Sequence, residues 1–321
     1  MQQETPQLYE AGYVEVGGAR VHYLHAGSGR PMLLIHGLVG SSADWRGNID
    51  ALAKLGSVYA IDLANMGKSQ RVLGLDATLR ATARRVVAIM DALGIAEADV
   101  VAHSHGGSVA LMLAAMNSRR VRRLVLFAPA NPYSRTSDLM VRVYSTRWGG
   151  VLLGMLPYLP KRIQRIALGE VYGGGDHVVE RNLRALVEGL RNPHTLLHVL
   201  CVIRCWFTEM AKLRTALRRV RRIPTLLVWG DNDRTVGLDS AMKLQRRLRN
   251  AELVVVPGGR HSVFEDMPEE INGILVEWLG RPVPERVRDA RRAAAVVSEG
   301  TAVMIAGEMR QPVPQLPASG G

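Results

Sequence analysis

The chain has 321 residues, of which 47% are apolar, and its formal net charge is +12. This length and apolar content are ample for one α/β domain with an insertion. No stretch is apolar for long enough to span a bilayer, because His198 and Arg204 interrupt the stretch from Leu196 to Phe207. The first residues lack the basic and apolar regions of a signal peptide, so we expect a cytoplasmic protein.

Arginine supplies almost all of the positive charge, and it is concentrated in three stretches. These stretches are 214–222, 246–249 and 281–292. Solvated helix faces have the same composition, and no nucleic-acid-binding motif accompanies the charge, so we expect no nucleic-acid partner. A weak contact with an acidic membrane surface or with an anionic ligand stays open as an alternative.

Apolar stretches that predict buried strands alternate with stretches that resemble helices. The strand-like stretches, in chain order, are 32–35, 58–61, 100–103, 123–128, 225–230 and 253–257. The helix-like stretches between them are 84–93, 108–115 and 240–248. Alternation of this type predicts an α/β protein with a mostly parallel sheet that is covered by helices on both faces.

Ser104 stands between an apolar strand and a helix that starts with glycines. Gly106 and Gly107 permit a turn too tight for side chains at those positions. Such a turn pushes the serine out of the sheet and points the N-terminus of the next helix at its hydroxyl, as a nucleophile requires. Small residues at a strand-to-helix turn also occur in any doubly wound protein, so the motif alone leaves both interpretations open.

The run Ala102-His103-Ser104-His105-Gly106 resembles the nucleophile elbow of the α/β-hydrolase superfamily, Gly-x-Ser-x-Gly, with Ala102 in the place of the first glycine. The resemblance is to the serine-nucleophile, esterase- and lipase-like branch with a helical cap. It implies the α/β-hydrolase fold, with a mostly parallel sheet of the eight-stranded type.

In this family the acid and then the histidine follow the nucleophile along the chain. Asp233 comes just after the strand 225–230, and His261 follows the strand 253–257. By the resemblance, Asp233 is the candidate acid and His261 is the candidate base that activates Ser104. Each candidate stands at the carboxyl end of a predicted strand, where ligands bind in open α/β sheets.

Two further turns resemble loops of the same family. The turn His36-Gly37-Leu38 is similar to the oxyanion loop, and by that resemblance the backbone N–H groups of Leu38 and His105 would form the oxyanion hole. The run Asp62–Ser69 is similar to the pattern Asp-x-x-Gly-x-Gly-x-Ser, with Asn65 in the place of the first glycine. Asn tolerates a left-handed conformation, so we expect the same turn to form with Asn65 and to have a structural role.

The predicted domain organisation has a core, an inserted cap and a tail. Residues 1–130 and 223–280 are expected to form the α/β-hydrolase core, 131–222 a helical cap, and 281–321 a partly disordered C-terminal extension. The cap predicts an apolar acyl or alcohol pocket, although its substrate-binding residues stay unassigned. Its large apolar side chains are Met140, Tyr144, Trp148, Leu152, Leu153, Met155, Leu156, Tyr158, Trp206, Phe207 and Met210.

Together these features predict a serine hydrolase that cleaves carboxylic esters of a largely apolar small molecule through an acyl-enzyme. This mechanism implies no metal and no organic cofactor. His194 and His198 are spaced so that they could share a metal ion on a helix, but no third ligand is apparent. A serine at position 104 argues against a haloalkane dehalogenase or an epoxide hydrolase, because resemblance to those enzymes would demand a carboxylate nucleophile there.

Two alternatives stay open on the same fold. One is a carbon–carbon bond hydrolase of the meta-cleavage-product type, which uses the same triad to attack a ketone. The other is a receptor that senses a small molecule in the capped pocket. The residues leave the oligomeric state and the length of the acyl chain undetermined, because fold does not decide function.

Overall fold

Eight β-strands form a sheet in the computed structural model of the chain, which describes residues 9–135, 138–168 and 176–283. The strands are β1 (Glu10–Val16), β2 (Ala19–Ala26), β3 (Pro31–Ile35), β4 (Ser57–Ile61), β5 (Ala98–His103), β6 (Val121–Phe127), β7 (Thr225–Gly230) and β8 (Ala251–Val256). Their order is β1-β2-β4-β3-β5-β6-β7-β8. The first two pairs are antiparallel and the other five are parallel. The predicted mostly parallel, eight-stranded sheet is confirmed.

Helices pack on both faces of this sheet and also form an insertion. They are α1 (Ile49–Ala53), α2 (Leu79–Ala92), α3 (Ser104–Met116), α4 (Asp138–Ser145), α5 (Arg147–Met155), α6 (Lys161–Leu168), α7 (Asp176–Arg191), α8 (Pro193–Val220), α9 (Leu238–Leu248), α10 (Val263–Asp266) and α11 (Pro268–Gly280).

Strand residues alternate between two separate cores. Leu33 and Ile35 of β3 pack in the core under α2, α3, α9 and the C-terminal half of α8, whereas Met32 and Leu34 pack in the core under α1 and α11. This alternation follows from the period of two residues in a strand. Helices therefore cover both faces, as predicted.

Helix α2 begins five residues before its predicted start at residue 84. The side chain of Thr78 caps the helix by accepting a hydrogen bond from the N–H of Ala81. The carboxylate of Glu209 in α8 accepts another from the N–H of Leu79, at 2.9 Å. The second acceptor is 130 residues away in sequence, so no local pattern could predict it.

The segment between β6 and β7 is helical, with α4 to α8 in the part that the structure describes. It has a small apolar core of its own, to which Leu153, Leu186 and Val199 contribute, and Leu38 and Val39 pack against that core. Near its end, α8 leaves this core, and Leu213 and Leu217 pack in the core of the main sheet instead. One helix thus joins the inserted segment to the sheet.

The described residues up to Arg281 form one compact unit. Most of the predicted C-terminal extension, from residue 284 onward, lies outside the described residues. No helix in the described ranges is both long enough and apolar enough to cross a membrane.

Candidate active site

The elbow at Ser104 is a strained turn between β5 and α3. Ser104 is the first residue of α3, and its φ of 49° lies in the left-handed region that residues with a Cβ seldom adopt. Gly106 makes this turn possible, since a Cβ at that position would lie 2.2 Å from the carbonyl oxygen of His36. The elbow and the loop after β3 therefore touch through their backbones.

The structure brings Ser104, His261 and Asp233 together in the predicted order. Nε2 of His261 lies 2.9 Å from Oγ of Ser104, and Nδ1 of the same ring lies 2.8 Å from Oδ2 of Asp233. The histidine and the aspartate are 3% and 7% exposed, while the serine is half-buried. Three side chains that follow the parallel strands β5, β7 and β8 thus form one hydrogen-bonded line at the carboxyl edge of the sheet.

Backbone hydrogen bonds to one carboxylate oxygen of Asp233 leave its other oxygen to accept a hydrogen bond from His261. Its Oδ1 accepts hydrogen bonds from the backbone N–H groups of Thr235 and Val236, at 2.8 and 2.9 Å. Its Oδ2 faces Nδ1 of His261. An ionised carboxylate accepts only, so Nδ1 carries the proton and Nε2 is left to accept one from Ser104.

His103 supports the loop that carries His261, which the sequence analysis did not anticipate. Its Nε2 donates a hydrogen bond to the carbonyl oxygen of His261, at 3.1 Å, and the two rings lie 4.7 Å apart between centroids. Burial, and then the neighbouring His261, hold the pKa of His103 well below its usual value. A neutral ring with its proton on Nε2 is the form that this hydrogen bond requires.

The predicted oxyanion loop is fixed by the buried ring of His36. Its Nδ1 donates to the carbonyl oxygen of Gly37 at 2.7 Å, and its Nε2 accepts from the N–H of Leu63 at 2.9 Å. Leu38, which follows in this loop, and His105, the second residue of α3, both line a cavity together with Ser104. The N–H of His105 lies in the first turn of α3, where the helix itself offers no acceptor.

Asp62 ties Ser42, which follows the predicted oxyanion loop, to the turn after β4. Its Oδ1 accepts from the N–H of Ser42 at 2.5 Å, and its Oδ2 accepts from Nδ1 of His22 and from the N–H of Lys68 at 2.9 and 2.7 Å. Burial alone would raise the pKa of Asp62, but these hydrogen bonds outweigh it and lower the pKa. Asn65 has a φ of 64°, which confirms the predicted left-handed conformation.

An apolar cavity of about 200 Å³ lies above Ser104. The inserted helices supply most of its apolar side chains. Their lining residues are Met140, Val141, Tyr144, Leu153, Leu186, Leu190, Val199, Ile203 and Trp206. These are the residues of the cap region that the sequence analysis left unassigned.

His105 also lines this cavity, and its ring is 4% exposed. Its Nδ1 has no hydrogen-bond partner among the described residues. Burial, and then the nearby His198, lower the pKa of His105 to about 3. Burial, and then Arg85, lower the pKa of His198 to about 4. Both rings are therefore uncharged at neutral pH.

Within the described ranges, no group of three or more His, Cys, Asp or Glu side chains is arranged to hold a metal ion. The expectation that the protein works without a metal or an organic cofactor stays a prediction.

The sequence profile of the α/β hydrolase fold matches residues 30–268. The chain belongs to the α/β-hydrolase fold family. One relative is RutD of Azorhizobium caulinodans, a carbamate hydrolase by name, which is 28% identical over 270 residues that cover 84% of this chain and 98% of RutD. This family member therefore matches nearly the whole length of that relative.

Solved structures of two other proteins have the same fold. The epoxide hydrolase CorEH superposes with a TM-score of 0.71 at 21% identity, covering 85% of this chain and 99% of CorEH. A mutant of the meta-cleavage product hydrolase CumD, from Pseudomonas fluorescens IP01, has a TM-score of 0.66 at 24% identity and covers 84% of this chain and 97% of CumD. At such identities the likeness is one of fold alone.

Proposed function

We propose that this α/β-hydrolase family member is a serine hydrolase that cleaves carboxylic esters of a largely apolar small molecule. One observation carries the proposal: Asp233, His261 and Ser104 are joined by hydrogen bonds of 2.8 and 2.9 Å beneath an apolar cavity. A serine hydroxyl becomes a useful nucleophile when a base takes its proton and a carboxylate orients that base.

In the first step Nε2 of His261 accepts the proton of Ser104 while Oγ attacks the ester carbonyl carbon. Asp233 stabilises the imidazolium that results, and the N–H groups of Leu38 and His105 stabilise the negative oxygen of the tetrahedral intermediate. The bond to the alcohol then breaks, and the alcohol leaves with the proton from Nε2. The acyl group remains on Oγ.

In the second step a water molecule attacks the acyl-enzyme and gives its proton to Nε2 of His261. The same two N–H groups stabilise the second tetrahedral intermediate. The carboxylic acid leaves as Oγ of Ser104 regains the proton from His261. The acid and the alcohol are the products, and one water is consumed.

The composition of the cavity supports an uncharged, apolar acyl group. Its wall on the side of the inserted helices is aliphatic and aromatic, so burial of methylene groups there is favourable. Asp44 and Glu265 also line the cavity, and the described lining contains no Lys or Arg. This charge pattern disfavours an anionic substrate, because a buried anion needs a partner.

Replacement of the nucleophile tests the proposal directly. The Ser104→Ala variant should lose about 10³-fold or more in kcat/KM for p-nitrophenyl butyrate. Its melting temperature should stay close to that of the wild type, since the change removes one half-buried hydroxyl. Ser28→Ala, at an exposed loop position, is the matched control and should keep full activity. A pure Ser104→Ala protein that still turns over the ester would disprove the assignment.

A panel of substrates separates the ester hydrolase from its alternatives. Esters of graded chain length should be turned over repeatedly, and faster than a dienoic diketone or an aryl carbamate. Preferred cleavage of the diketone would instead assign a carbon–carbon bond hydrolase. Preferred cleavage of the carbamate would assign the activity that the name of RutD states. A single very slow turnover accompanied by a change in the inserted helices would assign a receptor.

A further inference from the structure

The outer face of α5 carries an apolar stripe that is exposed to solvent. Four large side chains with the spacing i, i+3, i+4, i+7 form it: Trp148, Val151, Leu152 and Met155. Their exposed fractions run from 50% for Leu152 to 84% for Trp148. The opposite side of the helix, with Gly149, Gly150 and Leu153, is already buried. A stripe with this spacing normally packs against another element, and the described part of the chain supplies none.

Further exposed apolar side chains lie close to the stripe in sequence, and we call the whole set the cap surface. The cap surface consists of nine exposed side chains: Leu139, Met140, Val143, Trp148, Val151, Leu152, Met155, Tyr158 and Ile163. They are nine of the sixteen large apolar side chains that are exposed in the described residues, although they come from one short stretch. Soluble proteins scatter such residues singly, so this concentration indicates an interaction site.

Positive charge accompanies the cap surface. The stretch 138–168 has one acidic residue, Asp138, and five basic residues: Arg142, Arg147, Lys161, Arg162 and Arg165. The guanidinium of Arg142 also stacks on the ring of Phe207 in α8, at 5.0 Å from its centroid. Exposed Trp, Leu and Met side chains beside Arg and Lys are the composition of a helix that lies in the interface of an anionic bilayer.

A second copy of the chain fits this surface less well than a bilayer does. Two copies joined through the cap surface would bring the same basic residues together, and each chain has a net charge of +12. Repulsion of this kind opposes association. The basic stretches that the sequence analysis considered for membrane contact, 214–222, 246–249 and 281–292, are different segments from the cap surface.

The cap surface and the catalytic cavity lie on two sides of the same helices. Met140 belongs to both, since it is 46% exposed and also lines the cavity. Tyr144 of α4 and Leu153 of α5 line the cavity, while Val143 and Leu152 beside them in sequence are exposed. An apolar molecule that entered from the cap surface would therefore meet the cavity within the thickness of a helix.

We propose that the cap surface docks this protein onto anionic lipid bilayers, with Trp148 and Leu152 inserted at the boundary of headgroups and acyl chains. Docking of this kind is peripheral and reversible. Delivery of a membrane-dissolved ester to Ser104 rests in addition on the function proposed above, whereas docking does not.

Flotation of the full chain with lipid vesicles tests the docking. The wild type should float with vesicles of equal parts phosphatidylglycerol and phosphatidylcholine, less with phosphatidylcholine alone, and less as salt is raised. The double variant Trp148→Ser with Leu152→Ser should bind the anionic vesicles at least about tenfold more weakly. The matched control replaces two exposed apolar residues outside the cap surface, Leu73→Ser with Val276→Ser, and should bind like the wild type.

Hydrolysis of a short, water-soluble ester keeps this proposal separate from the catalytic one. Neither Trp148 nor Leu152 lines the cavity, so the double variant should hydrolyse that ester as the wild type does. If no form of the protein hydrolyses the ester, the proposed function fails while the vesicle result still decides the docking.

Three kinds of result would overturn the docking. The first is a wild type that does not float with anionic vesicles, or a double variant that floats equally well. The second is a dimer, seen by sedimentation without lipid, that becomes a monomer in the double variant, because a second copy would then occupy the cap surface. The third is shielding of Trp148 from acrylamide quenching in the lipid-free monomer, because another part of the chain would then cover it.

Discussion

The two walls of the cavity above Ser104 are built by different interactions. On the sheet side, hydrogen bonds of 2.8 to 2.9 Å join Ser104, His261 and Asp233, and further bonds hold the loops that carry them. On the side of the inserted helices, side chains such as Val141 and Leu153 line the cavity with apolar atoms. A small displacement of the hydrogen-bonded side chains on the sheet side lowers the rate of reaction. A change in the shape of the apolar wall alters only which substrate fits.

Gly106→Ala should disrupt the hydrogen-bonded arrangement on the sheet side of the cavity. A Cβ at Gly106 would lie 2.2 Å from the carbonyl oxygen of His36 and 2.8 Å from that of Ile35, so the oxyanion loop must move. The N–H of Leu38 would then leave its place in the proposed oxyanion hole. We expect kcat/KM for p-nitrophenyl butyrate to fall by about 10²-fold or more. Urea unfolding should show a lower free energy of unfolding as well.

Gly273→Ala is the control for this substitution. Gly273 lies within α11, and a Cβ there would meet no atom within 4 Å. Activity should be unchanged, and the free energy of unfolding should rise by about 0.5–1 kcal/mol because alanine favours a helix. Full activity in Gly106→Ala would mean that the elbow and the oxyanion loop are not coupled as their contact indicates.

His198 on the inserted helix α8 lies near His105 on α3, where the two walls meet. The pH dependence of the free energy of unfolding tests this region. Burial, and then Arg85, lower its pKa to about 4 from the ordinary 6.5, while Asp76 opposes this change. The unfolded chain binds the proton more readily, so stability is complete above about pH 6.5 and is lost as the pH falls towards 4. Between about pH 7.5 and about pH 4.5 this histidine should account for a loss of about 2–3 kcal/mol in the free energy of unfolding.

Urea unfolding at the two pH values measures that loss. His198→Gln should lose less stability on acidification than the wild type, by about the amount that the histidine contributes. Leu197→Gln, at an exposed position on the same helix, removes no titratable group and should keep the pH dependence of the wild type. If acidification affects His198→Gln and the wild type equally, His198 is not the group whose protonation weakens the fold.

The sheet-side wall could be predicted from sequence because its residues occupy local patterns. Each of Ser104, Asp233 and His261 follows an apolar strand within a few residues, and parallel strands end at one edge of the sheet. The hydrogen bond from His103 to the carbonyl of His261 could not be predicted, because it joins residues 158 positions apart. The start of α2 is different, since Thr78 marks it locally and only its second acceptor, Glu209, is distant in sequence.

The wall formed by the inserted helices could be predicted only as a set of large apolar residues. Helix α5 is apolar on both sides, so the period of its side chains does not distinguish Leu153, which lines the cavity, from Leu152, which is exposed. In the sequence, both residues belong to the same set of large apolar side chains in the insertion. Which side is buried depends on tertiary packing, here on Gly149, whose approach to the backbone of Val143 leaves no room for a Cβ.

Met140→Trp tests whether the two walls of the cavity act independently, and we expect it to change activity less than Gly106→Ala does. Met140 lines the cavity and is 46% exposed, so a larger side chain can narrow the cavity without overfilling the core. We expect kcat/KM for p-nitrophenyl octanoate to fall by about tenfold, while the value for the acetate changes little, because only the longer chain needs the lost volume. The matched control is Met242→Trp, at a similarly exposed position on α9 that does not line the cavity. An equal loss for both esters in Met140→Trp would mean that the change reaches Ser104, and that the two walls are not independent.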